Sequence, residues 1–146
     1  MTSRPSRAAA PAWVLFDGLC NLCDGWVRWL VTHDRRRALR YGPLQGESAA
    51  ALRARHPELP SGDETVLLVE APGTPAERVR WRSRAALATL ARLGGGWRLL
   101  ATLLRLVPRA VADAVYRFVA RRRIRWFGRR AACRVPTAEE RELFLP

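Results

Sequence analysis

The sequence predicts a mixed α/β fold in which a central sheet is flanked by helices. Short apolar runs alternate with segments whose apolar residues recur at helical spacing, in the order β-α-β-α-β-β-α. Helices separate the first three strands, which favours parallel neighbours, and a short turn joins the last two, which favours an antiparallel pair. With 146 residues and an apolar content of 49%, the chain suffices for one domain with a substantial core.

The predicted elements follow from local patterns along the chain. AWVLFD, at 12–17, is a short apolar run with strand-forming residues, and Asp17 and Gly18 supply the turn that ends it. From Cys20 the apolar residues recur on one face of a helix that ends near His33. The later elements are a strand at 38–44, a helix at 46–56, a strand at 64–70, a partner strand at 77–81 and a helix that Ser83 opens.

The C-terminal third differs in composition from the rest of the chain. Every basic residue of the protein is an arginine, and the formal net charge is +13. Eleven arginines lie between positions 98 and 134, against one acid, Asp113. The predicted organisation is a disordered leader at 1–12, a core at 13–96 and a helical, Arg-rich extension at 97–146 that packs on the same domain, with helices at 97–107 and 109–123.

Two cysteines, Cys20 and Cys23, are three positions apart where the first strand gives way to the first helix. Two intervening residues in the first turn of a helix bring the sulfurs within bonding range. The unpaired N–H groups of a helix N-terminus also favour the thiolate anion. The pattern predicts a redox-active dithiol, with Cys20 as the exposed nucleophile and Cys23, one turn inside the helix, as the resolving thiol.

Two other interpretations of the pair stay open. A zinc site usually needs four ligands, and Cys133 and His33 are the residues that could join the pair, although His33 lies at the far end of the same helix. Both cysteines could also be ordinary buried residues. We expect no metal and no cofactor, because a second CxxC is missing and Gly94–Gly96 lack the lysine and Ser/Thr of a phosphate loop.

The stretch FDGLCNLC resembles the DxxCxxC signature of the DCC family of bacterial thiol-disulfide oxidoreductases. The likeness continues through RYGPLQG (40–46), DETVLLVE (63–70), residues 82–130 and CRVP (133–136), and so covers nearly all of the chain after residue 12. The resemblance implies a thioredoxin-like fold and a dithiol–disulfide exchange activity. It places the family motif on Asp17, Cys20 and Cys23.

Asp17 ends the first predicted strand three residues before Cys20. A carboxylate at this position could accept the proton of Cys23 when that thiol attacks a mixed disulfide. It could also cap the helix or brace the turn at Gly18, and the two roles are compatible.

The chain departs from thioredoxin-like enzymes ahead of the third strand, where these enzymes usually hold a cis-proline that faces the dithiol. Here Pro60 lies several residues earlier, and Asp63 or Glu64 occupies the expected place. Substrate docking by backbone pairing is therefore not expected. An acidic residue there would also raise the pKa of a nearby thiol.

Several other residues carry structural predictions. Cys133 is predicted to be a structural residue of the C-terminal segment. Ser83 is interpreted as a helix N-cap, because it lacks the GxSxG context of a nucleophile. Core packing is expected for four tryptophans, of which two lie in the first helix and two flank the basic helices: Trp26, Trp29, Trp97 and Trp126.

Two functions from different classes remain. The first is a cytoplasmic thiol–disulfide oxidoreductase that acts on a client protein or on a small-molecule disulfide or thiol. The second is a non-catalytic basic module that binds anionic lipid or nucleic acid, with structural thiols. The basic helices could also bring the enzyme to the periphery of an anionic membrane, whereas specific nucleic-acid binding is not expected without a recognised motif. The cytoplasmic location is expected because no export signal and no long apolar run are visible.

Overall fold

The computed structural model describes residues 11–60, 65–129, 137–138 and 140–145. In chain order the elements are β1 (Ala12–Phe16), α1 (Asn21–His33), β2 (Leu39–Pro43), α2 (Glu47–Arg55), β3 (Leu67–Glu70), β4 (Arg78–Trp81), α3 (Arg82–Arg92), α4 (Gly95–Leu104) and α5 (Arg109–Phe127). A 3-10 helix follows at Arg141–Leu143. The predicted order of strands and helices is confirmed, and so is the mixed sheet flanked by helices.

The four strands form one sheet in the order β2-β1-β3-β4. β1 pairs in parallel with β2 and antiparallel with β3, and β3 pairs antiparallel with β4. The expected parallel pairing therefore holds for β1 with β2 and is wrong for β3. A preceding helix does not by itself fix the direction of a strand, because the direction depends on the end of the sheet at which the chain re-enters, and β3 runs antiparallel to β1.

The side chains of β1 alternate between two layers of the core, as the pleat of a strand requires. Val14 and Phe16 pack with Leu30 of α1 and with the buried alanines of α3. Leu15 faces the other way and packs with Leu52 of α2. The sheet is thus covered by α1 and α3 on one face and by α2 on the other.

The C-terminal helices attach to this core through α3. α4 and α5 both contact α3, and α5 also contacts α1. Ser83 is in the first turn of α3, where its hydroxyl donates a hydrogen bond to the carboxylate of Asp113 on α5. The N-cap interpretation of Ser83 is therefore wrong, because Trp81 holds the N-cap position and Ser83 joins two helices instead.

The expected core packing of the tryptophans is confirmed in part. Trp26 and Trp29 pack against the core, and Trp97 meets Trp29 edge to face with 4.8 Å between ring centroids. Trp97 is nevertheless exposed and Trp126 is 52% exposed, so the predicted burial is wrong for these two. Trp126 lies on the outer side of α5, where Phe118 is its aromatic neighbour.

The predicted leader lies outside the described residues except for Pro11 and Ala12, and Ala12 begins β1. None of the helices in the described ranges combines the length and the apolar character that crossing a membrane requires.

Candidate active site

The end of β1 and the start of α1 bring the three residues of the motif together. Asp17 directly follows β1, Cys20 is the N-cap of α1, and Cys23 lies in the first turn of that helix. The Asp17 carbonyl accepts a hydrogen bond from the Cys20 N–H at 3.2 Å, and Asp17 Oδ1 accepts one from the Leu19 N–H at 3.0 Å. Asp17 therefore braces the turn that presents the first cysteine, which is one of its two expected roles.

Cys20 is fully buried, so the exposure predicted for it is wrong. The chain leaving α5 runs against it, where Cys20 forms a β-bridge with Arg129. The neighbouring Asn21 holds this part of the chain through two hydrogen bonds. Its backbone N–H donates to the Gly128 carbonyl at 3.3 Å, and its Nδ2 donates to the Phe127 carbonyl at 2.8 Å. We call residues 127–129 the covering segment.

The two thiols lie side by side at the start of α1. Neither forms a disulfide, and they are close enough to hydrogen-bond to each other. Burial raises the pKa of Cys23 to about 12, and the negative charge of a Cys20 thiolate adds to the effect. Cys23 therefore keeps its proton at neutral pH.

Arg123 of α5 places a positive charge beside both sulfurs. Its Nη1 is 2.7 Å from Asp17 Oδ2 and 3.8 Å from Cys23 Sγ, and its guanidinium also hydrogen-bonds with Cys20. Burial would lower the pKa of Arg123, but the hydrogen bonds to Asp17 and Cys20 outweigh it and raise that pKa above its ordinary value. The charge is permanent, so it favours a thiolate in this pair.

The carboxylate of Asp17 accepts three hydrogen bonds. Burial would raise its pKa, but the hydrogen bond from Arg123, together with those from the Leu19 N–H and from Gln45, holds it below its usual value. Gln45 Nε2 donates to Asp17 Oδ1 at 2.8 Å, while Gln45 Oε1 accepts the Gly18 N–H at 3.2 Å. Asp17 is thus an ionised group that holds Arg123 and the turn in place.

A cavity of about 240 Å³ opens beside Cys23. Most of its lining is apolar and comes from α1, α3 and α5, with Val66 from the approach to β3: Leu22, Trp26, Val66, Ala86, Val119 and Ala120. Cys23, Tyr116 and Arg123 supply its polar atoms. The cavity therefore offers an apolar group a place beside Cys23.

The approach to β3 is joined to α5 by a hydrogen bond. The Val66 N–H, just before β3, donates a hydrogen bond to the Tyr116 hydroxyl at 2.9 Å. This donor is therefore engaged within the protein, and the expectation about substrate docking stays a prediction. Asp63 and Glu64, the acidic residues predicted near this place, lie outside the described residues.

The zinc interpretation gains no support from the described part of the chain, which holds no group of three or more His, Cys, Asp or Glu side chains arranged to bind a metal ion. The His33 ring stacks on Trp29 at the far end of α1, with 4.2 Å between the ring centroids. Cys133 lies outside the described residues, and its predicted structural role stays a prediction.

Sequence reasoning missed Arg123, Tyr116 and Gln45. By composition Arg123 is one of many arginines in the basic C-terminal third, yet it is buried. Helical spacing was the available signal, since Tyr116, Ala120 and Arg123 recur at intervals of four and three on one face of α5. That face also carries Val119, so Arg123 points to the interior of the protein and not to solvent.

A sheet of order β2-β1-β3-β4, with a CxxC pair at the start of the helix after its first strand, defines a protein of the thioredoxin-like class. The chain belongs to the DCC1-like thiol-disulfide oxidoreductase family, whose model matches residues 14–129.

Two curated relatives agree with this family assignment. The chain is 34% identical over 135 residues to the uncharacterized protein YuxK of Bacillus subtilis (strain 168), which covers 91% of this chain and 93% of the relative. It is 36% identical over 120 residues to a chloroplastic DCC family protein of Arabidopsis thaliana, which covers 82% of this chain and 67% of the relative. No solved structure matches the chain significantly.

Proposed function

We propose that the protein catalyses thiol–disulfide exchange by cycling Cys20 and Cys23 between a dithiol and a disulfide. The observation that carries this proposal is the Arg123 guanidinium, held by Asp17 beside two adjacent thiols at a helix N-terminus. Purely structural cysteines do not need a buried, permanently charged neighbour, whose burial is costly unless it is paired. A nucleophilic cysteine gains from it, because the cation stabilises the thiolate.

Cys20 is the attacking thiolate in this proposal, because Cys23 has a pKa of about 12 and holds its proton at neutral pH. The Cys20 thiolate attacks a substrate disulfide, which forms a mixed disulfide and releases one substrate thiolate. Cys23 then loses its proton and attacks the Cys20 sulfur. The Cys20–Cys23 disulfide forms and the second substrate thiolate leaves, so the substrate gains the two electrons that the pair loses.

Attack by Cys20 requires that the covering segment move away from it. The segment is held by the Cys20–Arg129 bridge and by hydrogen bonds to Asn21, and all of these contacts are at the edge of α1. Opening there would expose Cys20 while leaving the core of the sheet intact.

The substrate is proposed to carry an apolar group next to its reacting sulfur. The cavity beside Cys23 can receive such a group, and the engaged Val66 N–H leaves side-chain contacts as the main means of recognition. Both a small-molecule disulfide and a client protein with an apolar residue beside its cysteine fit this description.

Asp17 is proposed first as a positioning residue, because it orients Arg123 and the turn before Cys20. Its lowered pKa makes it a weak base. The departing substrate thiolate is therefore a better acceptor than Asp17 for the proton of Cys23. Proton acceptance by Asp17 stays a prediction.

The division of roles can be tested with 2,2′-dithiodipyridine, a neutral aromatic disulfide, in a Cys133→Ser background. The parent should release two equivalents of pyridinethione and end with the Cys20–Cys23 disulfide. Adding Cys23→Ser should stop the reaction after one equivalent, with the adduct on Cys20. Adding Cys20→Ser instead should slow the first release at neutral pH at least about tenfold, because the remaining thiol is protonated.

A Cys20→Ser variant that reacts as fast as the Cys23→Ser variant would contradict the assignment of Cys20. In the same assay, Asp17→Asn separates the two roles of that residue. A slower second release with an unchanged first release would support proton acceptance, whereas slowing of both steps would support positioning of Arg123.

A further inference from the structure

The surface of α4, the α4–α5 connection and α5 exposes many large apolar side chains. Twelve described residues from Trp97 to Phe127 are large, apolar and exposed. We call this region the apolar–basic surface. Apolar residues in such density on one part of a protein mark a site of interaction.

In α4 the apolar side chains are on the side that faces away from α3. Ala101 is buried, whereas Leu99 and Leu103, one turn apart, are 63% and 55% exposed. The connection that follows exposes Leu106 to 81% and is flanked by Arg105 and Arg109. An apolar tip between two exposed cations suits insertion into the boundary between lipid headgroups and acyl chains.

α5 also exposes apolar side chains beside arginines, and its apolar side chains form one stripe along the helix. Val111, Val115 and Phe118 recur at helical spacing and are each about half exposed, and Trp126 continues the stripe two turns further on. Arg122 lies over the Phe118 ring, with 4.2 Å between its guanidinium carbon and the ring centroid. Trp, Phe and arginine on one amphipathic helix are typical of helices that lie in a membrane interface.

The charge of this surface selects among the partners that could cover it. Eight exposed arginines lie within or next to α4 and α5, against one acid, Asp113: Arg98, Arg105, Arg109, Arg117, Arg121, Arg122, Arg125 and Arg129. A second copy of the chain would bring two such arrays together, which repulsion opposes. Nucleic acid would pair with the arginines but leave the leucines and valines in water.

We propose that the apolar–basic surface docks the protein on the face of a lipid bilayer that carries anionic headgroups. The arginines bind the headgroups, while Leu99, Leu103, Leu106 and the α5 stripe enter the acyl boundary. The docking is peripheral and does not depend on the redox pair. It would hold the dithiol close to a membrane.

Co-sedimentation with vesicles tests this proposal. The full chain should bind vesicles of equimolar phosphatidylglycerol and phosphatidylcholine, and should bind vesicles of phosphatidylcholine alone at least about tenfold more weakly. Leu99→Gln/Leu103→Gln, which changes exposed positions only, should weaken binding to the anionic vesicles about tenfold or more. Arg117→Gln/Arg121→Gln should weaken it and reduce its salt dependence.

Matched controls separate docking from general attraction by net charge. Arg35→Gln/Arg78→Gln removes two exposed arginines outside the surface and should leave binding within about twofold of the wild type. Cys20→Ser and Cys23→Ser should bind as the wild type does, so that failure of the redox proposal and failure of this one are distinguishable.

Three results would overturn the proposal. One is vesicle binding that the leucine variant retains in full, since the attraction would then be purely electrostatic. Another is a stable dimer by sedimentation velocity that the same leucine variant dissociates, which would make the surface an interface between two copies. The third is binding to duplex DNA that displaces the vesicles and is unaffected by the leucine substitutions.

Discussion

At the scale of single residues, the electrostatics of the candidate site depend on one ion pair between distant parts of the chain. Asp17 and Arg123 are 106 positions apart, and each is buried with the other as its charge partner. Removing one partner of such a pair leaves an uncompensated buried charge, which costs about 3–5 kcal/mol. The pair therefore couples the folding of α5 to the electrostatics of the thiols.

Arg123→Gln should slow the reaction of Cys20 with dithiodipyridine at neutral pH by about tenfold or more, because the cation that favours the thiolate is lost. Arg121→Gln, two positions away and exposed, is the matched control and should leave the rate unchanged. An Arg123→Gln rate identical to that of the wild type would remove Arg123 from the proposed mechanism.

The same variant has a pH signature in stability. The pKa of Asp17 is held below its ordinary value of 3.8, so the stability that the pair contributes is fully present above that pH. It is lost as the pH falls through the lower folded-state pKa. Urea unfolding should therefore show a wild-type advantage over Arg123→Gln that is complete near neutral pH and shrinks in strong acid.

At the scale of elements, the end of α5 acts as a cover for the start of α1. Gly128 has φ +83°, a conformation that residues with a Cβ rarely adopt, and a Cβ there would lie 3.2 Å from Asn21 Nδ2. Glycine therefore lets the chain turn directly over Cys20. Access to the nucleophile should depend on this turn.

Gly128→Ala should loosen the covering segment and speed alkylation of Cys20 several-fold, measured in a Cys133→Ser background by peptide mass spectrometry. Gly73→Ala is the matched control, since Gly73 has φ +75° in a distant turn where an added Cβ would meet no atom within 4 Å. It carries similar backbone strain and should leave the Cys20 rate unchanged. Equal acceleration by both substitutions would indicate general destabilisation and not local opening.

The elements that local patterns determine could be predicted from the sequence. β1, α1 and the DxxCxxC spacing are short-range features, and they place Asp17, Cys20 and Cys23 correctly relative to one another. The burial of Cys20 depends on a segment more than 100 residues later, so nothing near the motif indicated it. Arg123 could not be singled out by residue type, because it is one of three consecutive arginines. Only its position on the buried face of α5 distinguishes it from the other two.

At the scale of the whole molecule, the C-terminal third has two roles that its composition did not separate. One face of α5 completes the candidate active site with Tyr116 and Arg123, while its opposite stripe belongs to the apolar–basic surface. The prediction of two helices was confirmed, but their exposure was not foreseen, because an apolar helix is usually assumed to be buried. The reversed β3 was likewise unpredictable from local pattern, since it depends on where a long connection ends.

The most direct test of the whole account is a redox titration of the Cys133→Ser protein in glutathione buffers, followed by mass spectrometry of the intact chain. Cys20 and Cys23 should oxidise together in a single two-electron transition to one intramolecular disulfide. Thiols that stay reduced at every ratio of reduced to oxidised glutathione, or that form only mixed disulfides with glutathione, would contradict the assignment of a dithiol oxidoreductase.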